Sequence, residues 1–174
     1  AISAFAFTAI SLLMTALQVK AANLSDYDLN QPIGWGTVDG FVTGSEDENP
    51  VTVTTLQELK AAMTGTDKKT IYIKGTIEFT GLVTFNSVAN KTIYGLPGAT
   101  LTNPTHSTKV SESGIICLKN SKNIILRNLI FKGAGAYDMD GNDNLTLPTS
   151  TYIWIDHCEF QDGVDGNLDC NNDS

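Results

Sequence analysis

From Thr70 to Phe160 the apolar residues come in short runs, and no helical period appears among them. Runs rich in β-branched and aromatic residues recur at Thr70–Lys74, Thr76–Phe79, Leu82–Phe85, Lys91–Tyr94, Thr100–Thr102, Gly114–Leu118, Asn123–Phe131, Asn144–Leu147 and Tyr152–Phe160. Gly, Asn, Pro and Ser separate them, so each run predicts a strand closed by a turn. One segment upstream differs. Leu56, Leu59 and Met63 fall at helical spacing, and Thr55 with Glu58 three residues on makes a capping box. This predicts a short helix, Leu56–Met63. Val51–Thr55 reads as a strand or as the approach to that helix. The Gly- and Asp-rich stretch from Asn23 to Pro50, with Trp35 between two glycines, reads as a wrapping loop.

The chain also repeats itself. A shift of 29 residues lays Ile116-Cys117-Leu118 on Leu145-Thr146-Leu147 and, without a gap, Asn123–Phe131 on Tyr152–Phe160. A shift of 23 residues lays Asn144–Leu147 on Asn167–Cys170. Repeats of this size, built only of strands and turns, predict a coil stacked on itself: an all-β parallel β-helix. The helix near the N-terminus would plug its open end. An antiparallel sandwich has no need of equivalent strands at such offsets. The period of two along a strand then assigns faces. Leu118, Leu147 and Cys170 point inward, as do Ile124, Ile153, Leu126 and Ile155. Cys117, Thr146 and Asp169 point outward. Arg127 and Asp156 also point outward on neighbouring rungs, roughly 4.8 Å apart, where a partly exposed salt bridge is expected. Asn128 and His157 fall on the inward side, so His157 reads as a satisfied interior histidine before it reads as a catalytic base.

Composition narrows the class. A chain of 174 residues with 41% hydrophobic and 17% charged residues fits one domain with a sizeable core. A net charge of −8 argues against nucleic acid and anionic membranes as partners. It also opposes an acidic ligand, unless metal ions mediate the contact. Residues 1–22 are almost wholly apolar or small up to Val19, and Val19-Lys20-Ala21 suits cleavage before Ala22. The stretch reads as the remnant of a secretory signal that lacks its basic leader, ahead of a domain over residues 23–174. A first core helix or a membrane anchor is the alternative. The three cysteines, Cys117, Cys158 and Cys170, form no CxxC pair, and the two histidines add little support for zinc. Buried free thiols are the default expectation.

The densest chemistry lies between Asp143 and Asp169. Asp162, Asp165 and Asp169 follow the strand Tyr152–Phe160, with Asp143 upstream. Asp165 and Asp169 are separated by an even number of residues, so both can face one way on an extended chain. Carboxylates held together raise each other's pKa, and a hard cation such as calcium relieves them. A solvated acidic turn satisfies the same spacing, and no EF-hand loop is matched.

Trp154-Ile155-Asp156-His157-Cys158 followed by Asp165-Gly166-Asn167-Leu168-Asp169 resembles the pectate lyase family. Ile71–Ile77, Asn90–Leu96 and Asn123–Leu129 add matching blocks in the same order, and the likeness covers about residues 35–174. The resemblance implies a right-handed parallel β-helix, an extracellular enzyme, calcium as cofactor, and cleavage of polygalacturonate by β-elimination; a monomer is expected. It places calcium ligands at Asp143, Asp165 and Asp169, while Gly141 stands where some members carry a further carboxylate. The family's base is an arginine on later rungs, which would lie beyond Ser174. Arg127 does not match it, since it precedes the WIDH strand. The 174 residues are therefore expected to be truncated on the C-terminal side and inactive by themselves. A pectin lyase working without calcium, or a non-catalytic carbohydrate-binding β-helix, remains as the alternative.

Overall fold

The computed structural model describes Pro32, residues 42–136 and residues 140–171. The apolar run of residues 1–22, the boundary drawn after it and the loop around Trp35 lie outside the described residues. Strand β1 (Val51–Val53) leads into helix α1 (Leu56–Ala62), and strands follow to the end. They are β2 (Lys69–Ile73), β3 (Thr76–Glu78), β4 (Val83–Asn86), β5 (Ala89–Gly95), β6 (Thr100–Thr102), β7 (Ile116–Lys119), β8 (Lys122–Arg127), β9 (Ile130–Lys132), β10 (Leu145–Thr146), β11 (Thr151–Asp156), β12 (Glu159–Gln161) and β13 (Leu168–Asp169). Every pairing is parallel. Three sheets result, in the orders β1-β2-β5-β8-β11, β3-β6-β9-β12 and β4-β7-β10-β13. Each turn of the coil gives one strand to each sheet, and the fold is the expected parallel β-helix.

The register follows the two repeats. Leu145 pairs with Ile116 and with Leu168, and Ile153 pairs with Ile124. Inward side chains therefore stack in columns of like residues, such as Ile77, Leu101, Phe131 and Phe160. Phe131 and Phe160 lie with ring centroids 4.9 Å apart and planes 9° apart, a parallel stack worth about 1 kcal/mol beyond its burial. Helix α1 closes the first rung as expected. The Thr55 side chain accepts from Glu58 N–H, Glu58 reaches back to the Thr55 backbone, and Leu59 and Met63 join the core.

Two predicted strands are each broken in two. Asn123–Phe131 splits at Asn128 (φ 55°), and Tyr152–Phe160 splits at His157 (φ 50°). A left-handed residue turns the chain through a corner and resets the alternation of faces. His157 is consequently not interior, and nor is Asn128. The His157 side chain is 62% exposed, with Nδ1 2.8 Å from Asp156 Oδ1. Asn90 and Asn123 hold a second left-handed corner, and Asn123 donates to Asn90 Oδ1 at 2.8 Å. Asn123 Oδ1 in turn accepts from Thr43 and Gly44 N–H, which fastens the incoming loop onto the five-stranded sheet.

Other expectations need correction. Cys117 faces outward in register with Thr84 and Thr146 but is buried, its small side chain sunk between theirs. Cys158 is half-buried and Cys170 exposed, so only one of the three thiols is buried. Arg127 Nε lies 2.9 Å from Asp156 Oδ2 as expected, but the side chains are only 14% and 20% exposed. Trp154 and Tyr94 shield the pair: the guanidinium lies 5.8 Å from the Trp154 ring centroid, and Tyr94 is next in register to Arg127. Asp156 Oδ2 is buried and makes no hydrogen bond among the described residues, so its contact with Arg127 Nε is an ion pair.

Lys91 is fully buried in the inward column between Lys69 and Ile124. Its ammonium donates to the carbonyls of Gly65 (3.1 Å), Ala89 (3.0 Å) and Asp67. All three protons are used, and the loop after α1 is tied to the second rung. Burial pushes the Lys91 pKa down, Asp67 draws it back up, and Lys69 lowers it further.

Candidate functional site

The three aspartates lie at or beside β10 and β13, at one edge of the β4-β7-β10-β13 sheet. Asp169, on β13, lies in the outward column Thr84, Cys117, Thr146 and Asp169. Asp143 immediately precedes Asn144 and β10, and Asp165 sits in the turn that leads to β13. That turn is built by its neighbours. Asn144, 1% exposed, donates through Nδ2 to Gln161 O at 2.8 Å and Asn167 Oδ1 at 2.9 Å. Leu145 N–H donates to Asn167 O at 3.1 Å and Leu147 N–H to Asp169 O at 2.8 Å. Val164 is buried beneath the turn.

Gly166 fixes Asp143. It lies against the Asp143 carboxylate. A Cβ on residue 166 would come 2.3 Å from Asp143 Oδ1, so only glycine lets the carboxylate rest there. Gly141 has a similar origin. A Cβ there would meet Val164 Cγ1 at 2.9 Å and Ser113 Oγ at 3.1 Å, which leaves little room for a further carboxylate.

The electrostatics join the three residues. Loss of water pushes the Asp143 pKa up, the charges of Asp165 and Asp169 push it further, and the Gly166 N–H pulls it partly back. Asp169 Oδ2 accepts from Asn171 Nδ2. Among the described residues no three acidic, imidazole or thiol groups already converge at metal-ligand spacing. Unneutralised carboxylates repel, and an ion would draw them together. Oxygen-only donors, a shared negative field and a glycine seat for one carboxylate all suit a hard divalent cation. Asp162, exposed and left-handed, serves the turn instead, its carbonyl accepting from Gly135 N–H at 2.7 Å. Asp156 and His157 end a strand of a different sheet and are not part of this group. The motif DGxxD identified the carboxylates, whereas Asn144 and the reason for Gly166 emerge only from the packing.

The raised pKa of Asp143 sets a pH dependence. The folded state holds this proton to higher pH than the unfolded chain. The group's contribution is fully present below the unfolded pKa and is lost as pH rises through the folded one. In chelator, the thermal midpoint is therefore expected to fall as pH rises out of the ordinary carboxylate range. Asp143→Asn should flatten that slope, and circular dichroism melts across pH would measure it.

The family model described as pectate lyase matches residues 3–173. A protein of Aspergillus terreus named "Probable pectate lyase B" is 30% identical over 177 residues, covering 91% of this chain and 50% of its own length. A pectate trisaccharide-lyase of Thermotoga maritima is 31% identical over 172 residues, covering 91% of this chain and 42% of its own length. The chain thus spans about half the length of the curated relatives it matches. A solved structure of a Bacillus subtilis pectate lyase variant shares the fold with a TM-score of 0.55 and 23% identity, over 76% of this chain and 50% of that one. With the β-helix, the WIDH strand and the DGxxD turn in place, the family model extends over nearly every residue, and the chain belongs to the pectate lyase family.

Proposed function

We propose that the protein carrying this chain is a secreted, calcium-dependent pectate lyase that cleaves polygalacturonate by β-elimination. The observation that supports it best is the shared negative field of Asp143, Asp165 and Asp169 on one outward end of the β-helix, in a chain of this family. These carboxylates are the groups that would hold calcium. Bound there, calcium would offset the charge of a galacturonate carboxylate and of the enolate-like state formed when its C5 proton leaves. Gly166 leaves room for the Asp143 carboxylate, and Asn144 braces the turn that carries Asp165 and Asp169. The site also resolves the charge conflict, since an acidic protein can grip an acidic polymer through a cation. Arg127, the sole arginine of the 174 residues, is paired with Asp156 on another sheet and is not assigned as the base. Secretion is supported by the apolar run of residues 1–22. Among the described residues no helix is long and apolar enough to cross a membrane.

The test is ultraviolet absorbance of unsaturated product from polygalacturonate, using the full-length protein. Turnover is expected with calcium, and its loss with chelator. Calcium-independent turnover of methylated pectin would favour a pectin lyase. Polymer binding without product would favour a non-catalytic β-helix.

A further inference from the structure

The described cations sort into two groups. Lys68 pairs with Glu46, Lys69 with Asp47, Lys109 with Glu112 and Arg127 with Asp156, while Lys91 is buried among carbonyls. Lys60, Lys74, Lys119, Lys122 and Lys132 make no ion pair among the described residues. Lys119 alone of these lies on the sheet that carries Asp169. On β7, Leu118 is fully buried while Lys119 is exposed, so Lys119 faces outward with Cys117. Burial raises the Cys117 thiol pKa, while Thr84 and then the Lys119 charge lower it. The outward column runs from Cys117 through Thr146 to Asp169. Asp169 is two rungs on, and Lys119 is two residues along the strand from Cys117. The separation is roughly 12 Å from strand spacing and rise. This exceeds the reach of one salt bridge, so the two residues would meet different sugar units of one chain. Asn86, the register partner of Lys119, accepts from Asn120 Nδ2 at 3.0 Å, adding amide groups suited to sugar hydroxyls.

We propose that Lys119 binds a carboxylate of the anionic polymer at a subsite on the N-terminal side of the aspartate cluster. There it acts as a specificity residue for unesterified substrate. Between this subsite and Asp169 the outward column carries only small side chains, Cys117 and Thr146. The proposal rests on the lyase function proposed above. A charge-assisted contact of this kind affects affinity about tenfold. The experiment compares the full-length wild type with Lys119→Met and Lys119→Arg on polygalacturonate, at several salt concentrations. Lys119→Met is expected to raise KM about tenfold with little change in kcat, and to weaken the dependence of KM on salt. Lys119→Arg should restore both, and the preference for unesterified over methylated polymer should narrow only in Lys119→Met. An active wild type with unchanged KM, salt dependence and preference in Lys119→Met would overturn the subsite and leave the lyase function standing. Absence of wild-type turnover on every uronate polymer would overturn the function, and the subsite with it.

Discussion

Lys91→Ala is expected to destabilise the full-length protein by about 3–5 kcal/mol, the range for a large buried side chain cut to alanine. Two losses act together. The carbonyls of Gly65, Asp67 and Ala89 lose the ammonium as donor, at roughly 1–3 kcal/mol for any one left buried and unsatisfied, while Gly65 O still accepts from Ala89 N–H. Four methylene groups also leave a cavity beneath the first rungs. Against these stands the desolvation cost of a buried ammonium, which the substitution relieves. That relief keeps the total below the plain sum. Lys91→Met preserves most of the volume and should cost less, since only the donors are lost. Urea denaturation at neutral pH measures both, and hydrogen exchange should show lost protection in residues 64–68 and α1. Unchanged midpoints in both variants would mean that the ammonium does not tie the cap to the coil.

Arg127→Ala carries the next largest expected loss, about 2–4 kcal/mol. Removing one partner of a largely buried pair strands the other charge. Asp156 would keep only His157 at its Oδ1, with Oδ2 still buried. The residual exposure of both side chains places the cost below that of a fully buried pair. Removing both charges, as in Arg127→Met with Asp156→Leu, should recover much of the loss. A double-mutant cycle from denaturation midpoints checks it, and a coupling below about 0.5 kcal/mol would show the two charges to be independent.

Much of the architecture was legible because a β-helix writes its register into the sequence. The shifts of 29 and 23 residues reappear as the pairings Leu145 with Ile116 and Leu145 with Leu168. The capping box Thr55–Glu58 is equally local, and it formed as read. What escaped was set by backbone sign and by neighbours distant in sequence. Alternation along a strand holds only while φ stays negative, and a single left-handed residue at Asn128 or His157 turns the following side chain to another face. The burial of Cys117 and of the Arg127–Asp156 pair depends on outward neighbours that periodicity does not weigh. Lys91 illustrates the same limit, since two of its three acceptors come from a loop 24 to 26 residues upstream. In the candidate site the carboxylates were visible as a motif. The glycine seat under Asp143 and the brace from Asn144 were not, because each requires the next rung to be in place.

Calcium titration calorimetry on the full-length protein bears most directly on the central claim, that Asp143, Asp165 and Asp169 hold one ion. The wild type is expected to bind calcium, and Asp143→Asn, Asp165→Asn and Asp169→Asn are each expected to weaken binding roughly tenfold or more, as fewer charged ligands remain. The β-rich circular dichroism should stay unchanged, because each substitution keeps the side-chain shape. Calcium affinity unchanged in all three variants would contradict the site, and loss of the fold in all three would make these residues structural instead.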